Sequence, residues 1–185
     1  MLQPKDLTEK TLSREDKYQG RILSVHVDEV LLPNGNTSTR EVVDHVDGVA
    51  VLALDDRNNV LTVTQYRYVF GKTLLELPAG KLEPGEDPAE CGIRELREET
   101  GCTAGKFVFL GKLIPTCAYD SEVIHLYLAE DLSYGEQDLD ENEFLSVEKY
   151  TLDEALEMIY DGTIIDGKTQ VALLKFKLLR DAGRI

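Results

Sequence analysis

Apolar and polar positions alternate loosely through Arg21-Ile-Leu-Ser-Val-His-Val-Asp-Glu-Val-Leu-Leu, the period of a half-buried strand. Pro33-Asn-Gly-Asn then signals a turn, and Arg40-Glu-Val-Val-Asp-His-Val reads as the returning strand. Val49–Leu54 is a continuous apolar run ended by Asp55-Asp-Arg-Asn-Asn, the pattern of a buried strand entering a hairpin. Val60–Tyr68 is its partner, and Leu74-Leu-Glu-Leu-Pro-Ala-Gly leads into a Gly/Pro loop. Phe107–Leu113 and Val123–Leu128 are also β-like. Asp87-Pro-Ala-Glu starts a helix, with Asp as N-cap, Pro in the first turn and Glu three residues after the cap. That helix is expected to run to Thr100 and stop at Gly101. Leu152–Tyr160 and Lys168–Leu179 have helical periodicity. Residues 1–17 are polar and mixed in charge, the pattern of a frayed lead-in or a short helix. Strands mixed with a few helices predict a layered α/β domain.

Length and composition narrow the function. The 185 residues fit one domain with a small terminal appendage. Acidic groups outnumber basic ones 35 to 20, a formal charge of −15. That argues against nucleic acid and anionic membrane as partners, because both need clustered Lys and Arg. A small phosphate ester stays possible if cations or placed arginines offset the repulsion. The longest apolar run, Gly48–Leu54, is far short of the roughly 20 residues of a membrane helix. The N-terminus lacks a basic-then-apolar signal pattern. Cys91, Cys102 and Cys117 are odd in number and form no Cys-x-x-Cys, so they are expected as buried apolar residues in a reducing cytoplasm. His26, His45 and His125 are scattered and form no His-Glu-x-x-His, and are read as strand residues; Ser121 has no Gly-x-Ser-x-Gly context.

On the helix from Pro88 to Thr100, a turn of 100° per residue puts Ala89, Ile93, Leu96 and Thr100 on one side. Glu95, Glu98 and Glu99 fall on the other, within an arc of about 100°. Like charges at this spacing repel mildly. Two readings follow: a solvated acidic face, or a site where oxygen ligands converge on a hard divalent cation. The residues around the helix bear on the choice. Gly80, Glu86, Arg94-Glu95-Leu96, Glu98-Glu99 and Gly101-Cys102 meet every fixed position of G-x5-E-x7-R-E-U-x-E-E-x-G-U, with U apolar. This segment resembles the Nudix box, the signature of hydrolases that cleave a nucleoside diphosphate linked to another moiety.

The resemblance implies a Nudix-type α/β/α sandwich with a mixed sheet and an N-terminal β extension. It implies one to three Mg²⁺ or Mn²⁺ ions, held by Glu95, Glu98, Glu99 and the Ala79 carbonyl. These ions would bridge the diphosphate oxygens and activate a water. Arg94 and Glu86 are the supporting pair of the acidic cluster, or only a salt bridge.

Beyond the box, Gln65-Tyr66-Arg67 followed by Glu76-Leu77-Pro78-Ala79-Gly80 resembles the "Q-x-R … E-x-P-A-G" run of the ADP-ribose pyrophosphatase branch. The resemblance implies that Arg67 holds the diphosphate; the alternative is a surface strand arginine. Glu76 is placed near the substrate ribose, or else is an inward Glu paired with an Arg. Arg40 would reach the nucleotide, in some members from the partner subunit, and Tyr18 would stack on the adenine or simply pack. Leu139-Asp-Glu-Asn-Glu143 resembles the mobile loop that supplies the base, which makes Glu141 a base candidate alongside Glu98, and Glu143 a further metal ligand. The bland alternative is a solvated acidic loop. In one departure, Cys117 stands where the branch carries a proline, fifteen residues beyond the box, while Pro115 lies at thirteen. That keeps GDP-mannose, ADP-glucose and dinucleotides open beside ADP-ribose. The expected organisation is a β extension over 1–45 and a hydrolase domain over 46–185. The expected protein is a cytoplasmic homodimer acting on a small nucleotide sugar, with a non-catalytic nucleotide-sugar binder as the lesser reading.

Overall fold

The computed structural model describes residues 6–185. By contacts the chain forms two units. One runs up to Val46 and takes in Thr116–Glu122; the other comprises Asp47–Pro115 and Val123–Ile185.

The first unit is a three-stranded antiparallel sheet of β1 (Lys10–Gln19), β2 (Leu23–Leu31) and β3 (Thr37–His45), with β2 in the middle. Leu32–Asn36 makes the expected turn, and Gly35 takes φ 87°, a conformation open to glycine without a Cβ clash. β1 corrects the expectation of a frayed lead-in or short helix, whose first five residues lie outside the described ones. Its ten residues are all exposed, so no face of it needs an apolar stripe, and the alternation that marks a strand is missing. Main-chain pairing to β2 makes it a strand.

The second unit begins with β4 (Gly48–Leu54) and β5 (Asn59–Arg67), followed by β6 (Lys72–Glu76) and β7 (Ala79–Lys81). α1 (Pro88–Thr100), β8 (Cys102–Leu113), β9 (Ile124–Tyr134), β10 (Leu145–Thr151), α2 (Leu152–Tyr160) and α3 (Gly167–Asp181) complete it. The sheet runs β10-β5-β4-β9-β8, with β6 on β5 and β7 on β4. β4 and β9 are parallel and the other pairs antiparallel, so the sheet is mixed.

β4 explains the layers. Its side chains alternate between two buried faces. Ala50, Leu52 and Leu54 join Leu152 and Ala155 of α2 and Ala172, Leu173 and Phe176 of α3 in one cluster. Val51 and Ala53 meet Leu96 of α1, and Val49 meets Cys91 of α1. Helices therefore cover both faces, as an α/β/α sandwich requires. Each leucine so buried stabilises the fold by roughly 1.5–3 kcal/mol.

α1 spans the expected residues. Asp87 accepts from the Ala89 N–H at 2.8 Å, Pro88 opens the helix and Gly101 closes it at φ 70°. Its buried face differs from the expected one: Cys91, Gly92, Leu96, Glu99 and Thr100 are buried, whereas Ile93 is exposed. The helix is rolled toward its glutamates because β7 lies along that flank. β7 and β10 were not anticipated, and β8 and β9 extend past their apolar cores as polar ladders. Cys91 and Cys102 are buried as expected; Cys117 is exposed, correcting that part of the reading, and all three thiols are free. Among the described residues no helix is long and apolar enough to cross a membrane.

Candidate active site

Gly80 sits where β7 passes closest to α1. A Cβ there would lie 1.9 Å from the carboxylate carbon of Glu95, so only glycine leaves that carboxylate where it is. One residue earlier, the Ala79 N–H donates to Glu99 Oε2 at 2.9 Å. Glu99 is 2% exposed, so it is not part of a solvated acidic face. Burial, helped by the charges of Glu95 and Glu143 and opposed by the Ala79 N–H, pushes its carboxyl up to about 8. Burial also raises Glu95, against the opposing charge of Arg94.

Arg94 lies across this turn. Its Nε and Nη2 fork onto Glu86 at 2.8 and 3.0 Å. Its Nη1 donates to Glu95 at 2.9 Å and to Glu98 at 3.0 Å. Arg94 thus does more than pair with Glu86: it bridges two of the three box carboxylates. The same fork, against a small burial cost, holds Glu86 at about 2. Among the described residues no three His, Cys, Asp or Glu side chains converge tightly enough to hold an ion. The donor set is nonetheless that of a hard divalent cation. It comprises a carboxylate buried among carboxylates with one N–H donor, and a glycine cradle that a methyl group would fill. Such a cation would be held by Glu95, Glu98 and Glu99.

Beside this turn, Arg67 at the end of β5 forks onto Glu76 of β6, Nε to Oε1 at 2.6 Å and Nη2 to Oε2 at 2.7 Å. Glu76 is 1% exposed, so the inward Glu paired with an Arg is the arrangement found. Sequence reasoning missed its second cation. Lys168, in the first turn of α3, donates its Nζ to Glu76 Oε2 and lies 3.0 Å from Asp166. Burial pushes the Glu76 carboxyl up, but Arg67 and Lys168 outweigh it and leave it below the usual range. The hint in the sequence was Asp166-Gly-Lys-Thr, a capping pattern that plants a lysine at a helix start. Asp166 caps α3 through Thr169, whose hydroxyl in turn accepts the Leu77 N–H at 2.9 Å.

The acidic loop after β9 is fastened at its near end. The Asp138 N–H donates to Glu98 O at 2.9 Å, the Gly135 N–H to Gly101 O at 2.7 Å, and Gln137 reaches Glu99 O. These anchors on the last carbonyls of α1 were not anticipated. Of the two candidate glutamates on this loop, Glu143 lies close enough for its charge to raise Glu95 and Glu99. Glu141 is exposed on the same loop and is not brought to the helix in this conformation. Tyr18 and Arg40 belong to the other unit. Tyr18 is exposed on β1, and Arg40 on β3 forks onto Glu9 at 2.9 and 2.6 Å.

Comparison with known proteins places this geometry. A family model described as the NUDIX domain matches residues 44–169, and one described as the nucleoside diphosphate sugar hydrolase N-terminal domain matches residues 9–43. The chain is 40% identical over 176 residues to an ADP-ribose pyrophosphatase of Bacillus subtilis (strain 168), covering 94% of this chain and 95% of that protein. It is 44% identical over 172 residues to a methanol dehydrogenase activator of Bacillus methanolicus, covering 92% and 93%. The crystal structure of an ADP compounds hydrolase shares the fold, with a TM-score of 0.86 at 24% identity over 98% of this chain and 100% of that one.

Proposed function

The chain belongs to the Nudix family of hydrolases, and from that premise we propose that it cleaves the diphosphate linkage of a nucleoside diphosphate sugar, taking ADP-ribose and water to AMP and ribose 5-phosphate. The observation that carries the reading is Glu99, buried under the Gly80 loop beside Glu95 and Glu143 and within reach of the charge of Arg67. Acid groups are crowded there at the cost of their own ionisation, in a place where an anionic substrate needs cations.

Mg²⁺ or Mn²⁺, when bound, supplies Lewis acidity to the diphosphate oxygens and to a water. Glu95, Glu98 and Glu99, with the Ala79 carbonyl and Glu143, are the proposed ligands. Arg94 orients the helix carboxylates from Glu86. Arg67 presents its fork to the diphosphate, a geometry that matches two phosphate oxygens better than an ammonium does. The water oxygen bonds to one phosphorus as the anhydride bond breaks, and Glu98 or Glu141 takes the proton. Glu141 does so after movement of its loop. Glu76 holds Arg67 in place until substrate binds and lies near the ribose. The exposure of Tyr18 supports stacking on the adenine, and Arg40 is a further nucleotide contact. The outer edge of β1, unpaired among the described residues, supports a homodimer, since such edges recruit a second chain. Three unbridged thiols are in keeping with the cytoplasm.

The test is turnover by the purified chain with Mg²⁺ on ADP-ribose, ADP-glucose, GDP-mannose and a dinucleotide, with products separated by chromatography. ADP-ribose is expected to give the highest kcat/KM and to yield AMP. Preference for GDP-mannose would reassign the substrate. Turnover of none of them, with binding intact, would leave the non-catalytic binder.

A further inference from the structure

The Nε/Nη2 edge of Arg67 is taken by Glu76 in this conformation, and a diphosphate can occupy that edge only if Glu76 lets go. Glu76 is buried, and a buried carboxylate stripped of its partner is strongly unfavourable. Lys168 answers that problem. Its ammonium bonds the same Oε2 atom that Arg67 Nη2 uses, from the opposite element. The two cations differ in freedom. The Lys168 side chain is 13% exposed and Arg67 39% exposed. Lys168 is also fixed in place. The start of α3 hangs on the Leu77 N–H through Thr169, one residue past Glu76, and Asp166 flanks the ammonium. The inner cation cannot leave with the outer one.

We propose that Lys168 is a positioning residue for substrate capture: it keeps Glu76 compensated so that Arg67 can trade that carboxylate for the diphosphate of the substrate. The proposal rests on the assignment of Arg67 to the diphosphate. At rest Glu76 shares two cations; with substrate bound it keeps Lys168 alone, and Arg67 makes two new bonds to phosphate oxygens. No bond beyond hydrogen bonds and ion pairs changes. Lys168 acts through Glu76 and Arg67 and needs no contact with the substrate.

Removing the inner cation should bind Arg67 more firmly to Glu76 and weaken substrate capture. The step lost is recruitment, which is shared by the ground and transition states, so KM should move and kcat should not. With ADP-ribose and Mg²⁺, K168M is expected to raise KM about tenfold with kcat within about twofold of wild type. K168R should recover most of the loss. In the E76Q background the carboxylate no longer competes for Arg67, so adding K168M should change KM by less than about twofold. That double variant also removes both members of the buried pair, and so keeps the test open should K168M alone fail to fold.

A direct readout is the Arg67 Nε–H resonance on adding ADP. It should shift in the wild type, as the carboxylate is exchanged for phosphate, and stay near its free position in K168M at equal ADP. Equal KM in wild type and K168M overturns the proposal while the hydrolase assignment stands. So does an equal effect of K168M in the Glu76 and E76Q backgrounds, as does an Arg67 resonance that ignores bound ADP. A wild type that turns over no nucleoside diphosphate sugar removes the hydrolase assignment itself, and this inference with it.

Discussion

Replacing Glu99 by Gln separates what the buried carboxylate costs the fold from what it gives the reaction. In the folded chain its carboxyl is pushed from the ordinary 4.5 to about 8, chiefly by burial. Between these values the folded state keeps a proton that the unfolded state has lost. Stability therefore falls as pH rises through the window and levels off above it. The gap corresponds to at most about 5 kcal/mol at pH 9, and relaxation around the group brings the expected figure to about half that. Gln keeps the shape and can still accept the Ala79 N–H, but it has no charge to bury. With EDTA present, E99Q should melt roughly 5–10 °C above wild type at pH 9, at 2–4 °C per kcal/mol for a chain of this size. Near pH 4, where wild type is protonated in both states, the two should melt together. With Mg²⁺ and ADP-ribose, the same variant should lose turnover by orders of magnitude. Calorimetric melts across pH, with and without Mg²⁺, provide the assay. A melting difference that is the same at pH 4 and pH 9 would refute the argument, because a gain independent of pH cannot come from ionisation.

Gly80→Ala puts a methyl group 1.9 Å from the Glu95 carboxylate carbon, and displacement of that proposed ligand by about 1 Å should lower kcat/KM by about a hundredfold with the protein still folded by circular dichroism. Leu96→Ala opens a cavity on the α1 face of the sheet and should cost about 2–5 kcal/mol in denaturant melts, with kcat per folded molecule unchanged. Glu86, held at about 2 by Arg94, contributes stability that is fully present above pH 4.5 and lost as pH falls toward 2. Glu86→Gln should therefore flatten the fall in melting temperature between pH 5 and pH 2; an unchanged slope would count against the Arg94 pairing.

Where local chemistry sets an element, the sequence was a good guide. The Asp87-Pro88 start and Gly101 stop bounded α1, and the run Val49–Leu54 is buried because β4 has a helix layer on each side. The elements that were missed owe their state to distant pairing. β1 has no buried face to imprint a period on its side chains, and β10 is strand because Leu145–Thr151 lies against β5. The same division holds at the site. Spacing alone put Glu95, Glu98 and Glu99 on one turn. It could not say that the helix rolls Glu99 under β7, because that depends on the Ala79 N–H twenty residues away. Nor could it find Lys168, 92 positions from the carboxylate it serves.

The anchoring of the acidic loop sets a limit on reach. Asp138 is tied to the end of α1, and Leu145 is already paired into the sheet. Glu141 lies three steps along the chain from the first tether and four from the second. Its Cα can therefore never stray more than about 11 Å from Asp138 or about 14 Å from Leu145. A carboxylate on so short a leash samples its whole range by local chain motion, in nanoseconds to microseconds, and the proposed base would need no swing of a larger body to arrive.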